Sequence, residues 1–93
     1  MITIYKYPLK ITEHQTVMIP GSSHIGNILK IAWQGNTLNL WAQVDTKQPE
    51  QPIEIRVVGT GHIVDEEVET KFHFIETIFQ GPYVWHFYVR WRD

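Results

Sequence analysis

Apolar and polar positions alternate along most of this chain with a period of two, the spacing of a half-buried β-strand. Ile2 to Tyr7 mixes β-branched and aromatic residues, and Pro8 is expected to stop it. Gln15 to Ile19 reads as a second strand, ended by Pro20-Gly21 and a loop through Ser22-Ser23-His24. Two apolar runs, 28–34 and 37–44, flank Gly35-Asn36, a two-residue hairpin signal. Setting Gln34 opposite Thr37 puts Trp33 against Leu38, Ile31 against Leu40 and Leu29 against Ala42, six apolar residues on one face. The other face then carries Lys30 opposite Trp41 and Ala32 opposite Asn39. A slip of one residue would mix the two sets, so the register is specified.

The segment 45–52, DTKQPEQP, is polar and holds two prolines, which predicts a loop. From 53 to 58 the alternation returns, with Ile53, Ile55 and Val57 inward and Glu54 and Arg56 outward. Gly59-Thr60-Gly61-His62 breaks it. The stretch 65–71, DEEVETK, is acidic and reads as an exposed segment with at most one helical turn. A last hairpin, 72–79 and 83–92, turns at Gln80-Gly81-Pro82. Tyr83, Trp85, Phe87, Val89 and Trp91 share one face of its second strand. About seven short strands without βαβ alternation predict a single all-β domain over residues 1–93. Its architecture is a small antiparallel sandwich or a partly open barrel.

Composition narrows the classes of function. Hydrophobic residues make up 43% and charged residues 19%, which excludes a disordered chain. The net charge of -2 gives no bulk attraction to nucleic acid, so a nucleic-acid partner is not expected. No cysteine is present, so disulfides and thiolate ligands are out. No apolar run reaches the roughly 18 residues that span a bilayer, and the N-terminal residues lack a signal-peptide pattern. The expectation is a soluble protein of the cytoplasm that does not engage membrane.

Five stretches together carry a resemblance: IYKYPLKI at 4–11, QTVMIP at 15–20, NLWAQVD at 39–45, RVVGTGH at 56–62 and FQGPYVWHF at 79–87. In this order they resemble a family of short phage and prophage proteins. The acidic stretch 65–71 and the tail 88–93 depart from that pattern. The resemblance implies phage origin, hence a host-cell cytoplasmic location, and the fold. No catalytic residue carries over from it.

Candidate chemistry is sparse. Gly59-Thr60-Gly61-His62 offers two glycines that tolerate positive φ, the requirement of a backbone nest for an anion. Thr60 and His62 would add donors. The bland alternative is a tight turn after a strand. His14, His24, His62, His73 and His86 show no metal-ligand spacing, so no metal or other cofactor is expected. In the hairpin register His73 faces Arg90 and His86 faces Thr77, which with Arg92 makes a mildly cationic patch. Ser22 and Ser23 beside His24 form no triad by adjacency alone. Glu76 falls on a face with Phe72, Phe74 and Ile78, where an arginine partner or an edge position would satisfy it. Trp41, on the mixed face, is a candidate to contact a partner or stack on a base; the alternative is that another strand covers this face and the sheet is buried on both sides.

These readings point to a non-enzymatic binding protein of phage type. It would inhibit bacterial antiviral defence by binding a defence protein or by sequestering a nucleotide signal. In the nucleotide version Gly59, Thr60, Gly61 and His62 hold phosphate, Trp41 or Tyr88 stacks on the base, and Arg90 and Arg92 neutralise charge. The alternative is a small phage structural or assembly protein that forms homo-oligomers through sheet edges.

Overall fold

The computed structural model describes residues 1–21 and 25–91, with the backbone alone for Ile25. Seven strands form two antiparallel sheets stacked as a sandwich: β1 (Ile2–Leu9), β2 (His14–Pro20), β3 (Ile28–Gln34), β4 (Thr37–Asp45), β5 (Glu50–Gly59), β6 (His73–Gln80) and β7 (Tyr83–Trp91). The three-stranded sheet runs β1-β4-β3 and the four-stranded sheet β2-β5-β7-β6. The sheets do not close into a barrel. A short helix, α1 (Glu66–Lys71), and a turn of 3-10 helix at Ile25–Asn27 complete the fold. No described helix is long and apolar enough to cross a membrane.

The core lies between the sheets. Leu38, Leu40, Ala42 and Val44 of β4 meet Ile53, Ile55 and Val57 of β5 and Phe87 and Val89 of β7, all buried. Their period of two is the reason these segments are strands: each has one continuous apolar face to hide. Trp33 hydrogen-bonds Phe79 at one margin of the sandwich, its Nε1–H donating to the carbonyl at 2.8 Å. At the same margin Lys30 Nζ meets Glu76 Oε1 at 2.9 Å. The edges of β3 and β6 therefore cover each other. Glu76 stands on an edge strand, one of the two expected settings, and its partner there is a lysine and not an arginine.

Strand limits differ from expectation at the prolines. Pro8 lies inside β1 and Pro52 inside β5, so each strand runs past its proline. Both can do so because a proline's missing N–H costs nothing where that position does not donate to the ladder.

Two bulges correct the registers. The β3–β4 pairing matches from Lys30–Trp41 to Gln34–Thr37, but a shift between Ile28 and Lys30 puts Ile28, not Leu29, opposite Ala42. Ile28 is buried and Leu29 exposed as a result. In β6 the shift between Phe74 and Glu76 sets His73 opposite Val89, not Arg90, while Thr77 still faces His86. A bulge adds one residue to one strand and reverses the facing of everything beyond it, so Phe74 and Glu76 stand on opposite faces.

Burial also departs from the alternation at three places. Trp33 shares the apolar face of its hairpin but sits at the rim, 38% exposed. Asn39 is buried on the outer face of its sheet. Its Nδ2–H donates to the Thr37 carbonyl, and Lys6 Nζ reaches Gln34 Oε1 across β4 at that level. Glu54, expected to point to solvent, is 4% exposed.

Glu54 lies between Arg90 and His14 on the face that α1 approaches. The acidic stretch is exposed at every charged residue, as expected, but it forms a capped six-residue helix on the outer face of the four-stranded sheet. Asp65 is its N-cap, accepting from the Val68 amide at 2.9 Å. Val68 and Phe72 are buried as a small cluster apart from the main core. The guanidinium groups of Arg56 and Arg90 lie 5.9 Å and 5.0 Å from the centre of the Phe72 ring. Beneath this lid Arg90 Nε bonds Glu54 Oε2 at 2.5 Å, and His14 Nε2 is 3.7 Å from Glu54 Oε1.

Candidate functional site

Of the residues proposed from sequence as one ligand site, Trp41 stands on the other sheet from Gly59, Tyr88 and Arg90. Leu40 and Ala42 point inward, so Trp41 between them faces outward from the three-stranded sheet. Phe87 and Val89 point inward, so Tyr88 and Arg90 face outward from the other sheet. The thickness of the sandwich, about 10 Å between sheets, separates Trp41 from both. Trp41 is half-buried, Tyr88 packs edge-on against Phe74 with ring centres 5.6 Å apart, and Arg90 serves Glu54. Arg92, Ser22, Ser23 and His24 lie outside the described residues.

The Gly59–His62 turn is built differently from a two-glycine nest. Only Gly61 has positive φ, at 88°. Gly59 ends β5 with ordinary backbone, and its need is space: an added Cβ would stand 2.9 Å from His62 Nδ1 and 3.0 Å from Trp85 Cζ3. Two amides of the turn are already engaged, Thr60 to the Val84 carbonyl and His62 to that of Gly59, both at 3.0 Å. The Thr60 hydroxyl is tied to the sheet through His86. Thr60 Oγ1 is 2.8 Å from Nε2 of that imidazole, and Thr77 Oγ1 is 3.0 Å from Nδ1.

What the turn does build is one wall of a cleft of about 560 Å³ at the end of the sandwich where β2 begins and β5 ends. Ile11, Thr12 and Glu13 form the opposite wall. Gly59, His62, Ile63 and Trp85 close the apolar side, and Arg56 and Asp65 the polar side. His62 stands edge-on to Trp85 with ring centres 6.4 Å apart. Tyr83 stacks against the other end of Trp85 at 5.9 Å, and the Trp85 indole N–H donates to Gln80 Oε1 at 3.0 Å. Exposed apolar surface continues beyond the cleft: Ile63 is 90% exposed, and Phe79 and Tyr83 are exposed as well.

The charge of the cleft is acidic at its rim. Arg56 is a cation met by three carboxylates: Asp65 at 2.6 Å, Glu67 at 3.4 Å and Glu13 at 4.0 Å. The bond from the Val68 amide, helped by Arg56, holds the Asp65 carboxyl below its ordinary range, so it remains ionised at neutral pH. Arg56 is thus spent within the protein. The groups left to a visitor are indole, imidazole and aliphatic surface with acid beside them. Among the described residues no group of three or more His, Asp or Glu side chains is placed to hold a metal.

Sequence reasoning found Gly59 and His62 of this cleft and placed Trp85 on the face of Phe87 and Val89; Trp85 does pack against the core, and it also lines the cleft. Its proximity to Gly59 follows from β5 and β7 being neighbours, with Gly59 opposite Trp85 in the register. Nothing in the local sequence announces that pairing.

The described chain is an antiparallel β-sandwich with an acid-rimmed aromatic cleft at one end, and with Arg56 and Arg90 bound into ion pairs. The chain belongs to the family described as a domain of unknown function (DUF7352), which matches residues 1–93. No curated protein and no solved structure matches it.

Proposed function

We propose that this chain is a non-enzymatic binding protein that takes a protein partner at the cleft end of the sandwich. The observation that carries this reading is the placement of exposed Ile63, Phe79 and Tyr83 around a cleft walled by Trp85 and His62. Large aromatic and aliphatic side chains in a partly desolvated pocket are the usual anchors of protein interfaces. The acidic rim suits a partner that brings lysine or arginine next to an apolar residue. It suits a phosphate poorly, which favours a protein over a sequestered nucleotide. The resemblance of the chain's motifs to short phage and prophage proteins supports a bacterial defence protein, met in the host cytoplasm, as that partner.

The test is affinity capture from host lysate with the parent protein and with the double variant Ile63→Ala/Tyr83→Ala, quantified by mass spectrometry. Both positions are exposed, so the fold should persist. A protein retained by the parent and lost with the variant supports the proposal. Identical capture by both refutes it. A saturable thermal shift with a cyclic or linear nucleotide would restore the sequestration reading in its place.

A further inference from the structure

The outer edge of β1 offers a second contact surface, and β1 contributes no residue to the cleft. The register shows which of its backbone groups face outward. The Met1 carbonyl accepts from the Thr46 amide at 3.0 Å, one step before the Ile2–Asp45 pair. Hydrogen-bonded and non-bonded pairs alternate along an antiparallel ladder. Thr3, Tyr5, Tyr7 and Leu9 therefore bond to β4, while Ile2, Ile4, Lys6 and Pro8 turn their N–H and C=O groups away from the sheet. Among the described residues no strand lies on that side. Pro8 agrees with this parity, since it stands where β4 asks for no donor.

Three residues with complete outward donor and acceptor pairs remain, spaced by two and symmetric about Ile4. Such a row is its own complement. A second copy, antiparallel about a two-fold axis at Ile4, sets Ile4 opposite Ile4 and Ile2 opposite Lys6. Three pairs then exchange two hydrogen bonds each. Sliding by two residues would drive the Pro8 ring against the Ile2 carbonyl, so Pro8 selects the register. No like charges face each other in it.

The side chains around the edge agree. Ile2 is 60% exposed, Ile4 56% and Tyr5 42%. Lysines on edge strands ordinarily ward off pairing, but the Lys6 ammonium is drawn across β4 to Gln34 at 2.8 Å, away from the edge. The β2 edge is a poorer candidate. The Gly21 amide bonds to Pro49 and the Val57 amide to Glu13. That leaves His14, Thr16 and Met18 outward, with only Met18 a large exposed hydrophobic among them.

We propose that two copies of this chain join through β1 into one continuous six-stranded sheet. A strand edge buries less than the roughly 1,200–2,000 Å² of a standard interface, so the dimer is reversible and depends on concentration. Sedimentation equilibrium from low to high micromolar protein should carry the apparent mass from 11.0 kDa toward twice that value. The amides of Ile2, Ile4 and Lys6 should gain exchange protection over the same range. Ile4→Lys should stay at the mass of one protomer, and Thr16→Lys on the β2 edge should dimerise like the parent. A parent that remains a protomer throughout overturns the proposal. So does a dimer that leaves those three amides unprotected, or one that Thr16→Lys abolishes and Ile4→Lys does not. The exchange measurement uses the parent alone, so it decides the matter even if a variant folds poorly.

Discussion

Arg90 was a natural candidate for neutralising a ligand, and the structure gives it another task that stability measurements can read. Its Nε bonds Glu54, whose side chain is only 6% exposed, and its guanidinium covers the Phe72 ring. Removing one partner of a buried pair leaves a charge in a poorly solvated place, at a cost of about 3–5 kcal/mol. His14, 3.7 Å from the other carboxylate oxygen, offsets part of that, so Arg90→Ala should lose about 3 kcal/mol in urea unfolding at neutral pH. Replacing both partners, Glu54→Met with Arg90→Met, should recover most of the loss, because no uncompensated charge is then buried. A loss below about 1 kcal/mol, the size of an exposed pair, refutes the reasoning.

Phe87→Ala should cost about 3–5 kcal/mol, since Phe87 is completely buried between the sheets, whereas Trp33→Ala at the rim should cost clearly less; equal losses in chemical denaturation would contradict this packing. Asp65 has a lowered carboxyl pKa from its bond to the Val68 amide and from Arg56. Its contribution is present above the unfolded value, about 3.9, and is lost as pH falls through the folded one. Asp65→Asn should keep the helix cap but flatten the acid limb of the stability-against-pH curve. Gly21→Ala should destabilise more than Gly35→Ala in thermal unfolding. Both glycines have positive φ, worth roughly 1–2 kcal/mol to any other residue, but only at Gly21 would the new Cβ meet backbone, the Asp45 nitrogen at 2.8 Å.

Alternation along the chain determined the strands and which of their residues reach the core, because a period of two is imposed by the pleat and by the need to hide one face. Ile53, Ile55 and Val57, the turn at Gly35-Asn36, and the pairing of Lys30 with Trp41 were all legible for that reason. The bulges at Leu29 and Ile75 were not, since an extra residue in one strand is fixed by what the partner strand and the opposite sheet require. Nor was the docking of α1. Its residues look like solvated acid in sequence, and only the placement of Arg56 and Arg90 side by side on β5 and β7 gives Asp65, Glu67 and Phe72 something to cover. That same docking engages Arg90, while the stacking of the two sheets sets Trp41 apart from the residues that sequence alone had gathered with it. Strand order decided the cleft, by bringing Gly59 against Trp85 across sheet neighbours 26 residues apart in the chain. Short-range patterning records which way a side chain points. What it points at is settled by long-range pairing, which leaves no periodic trace in the sequence.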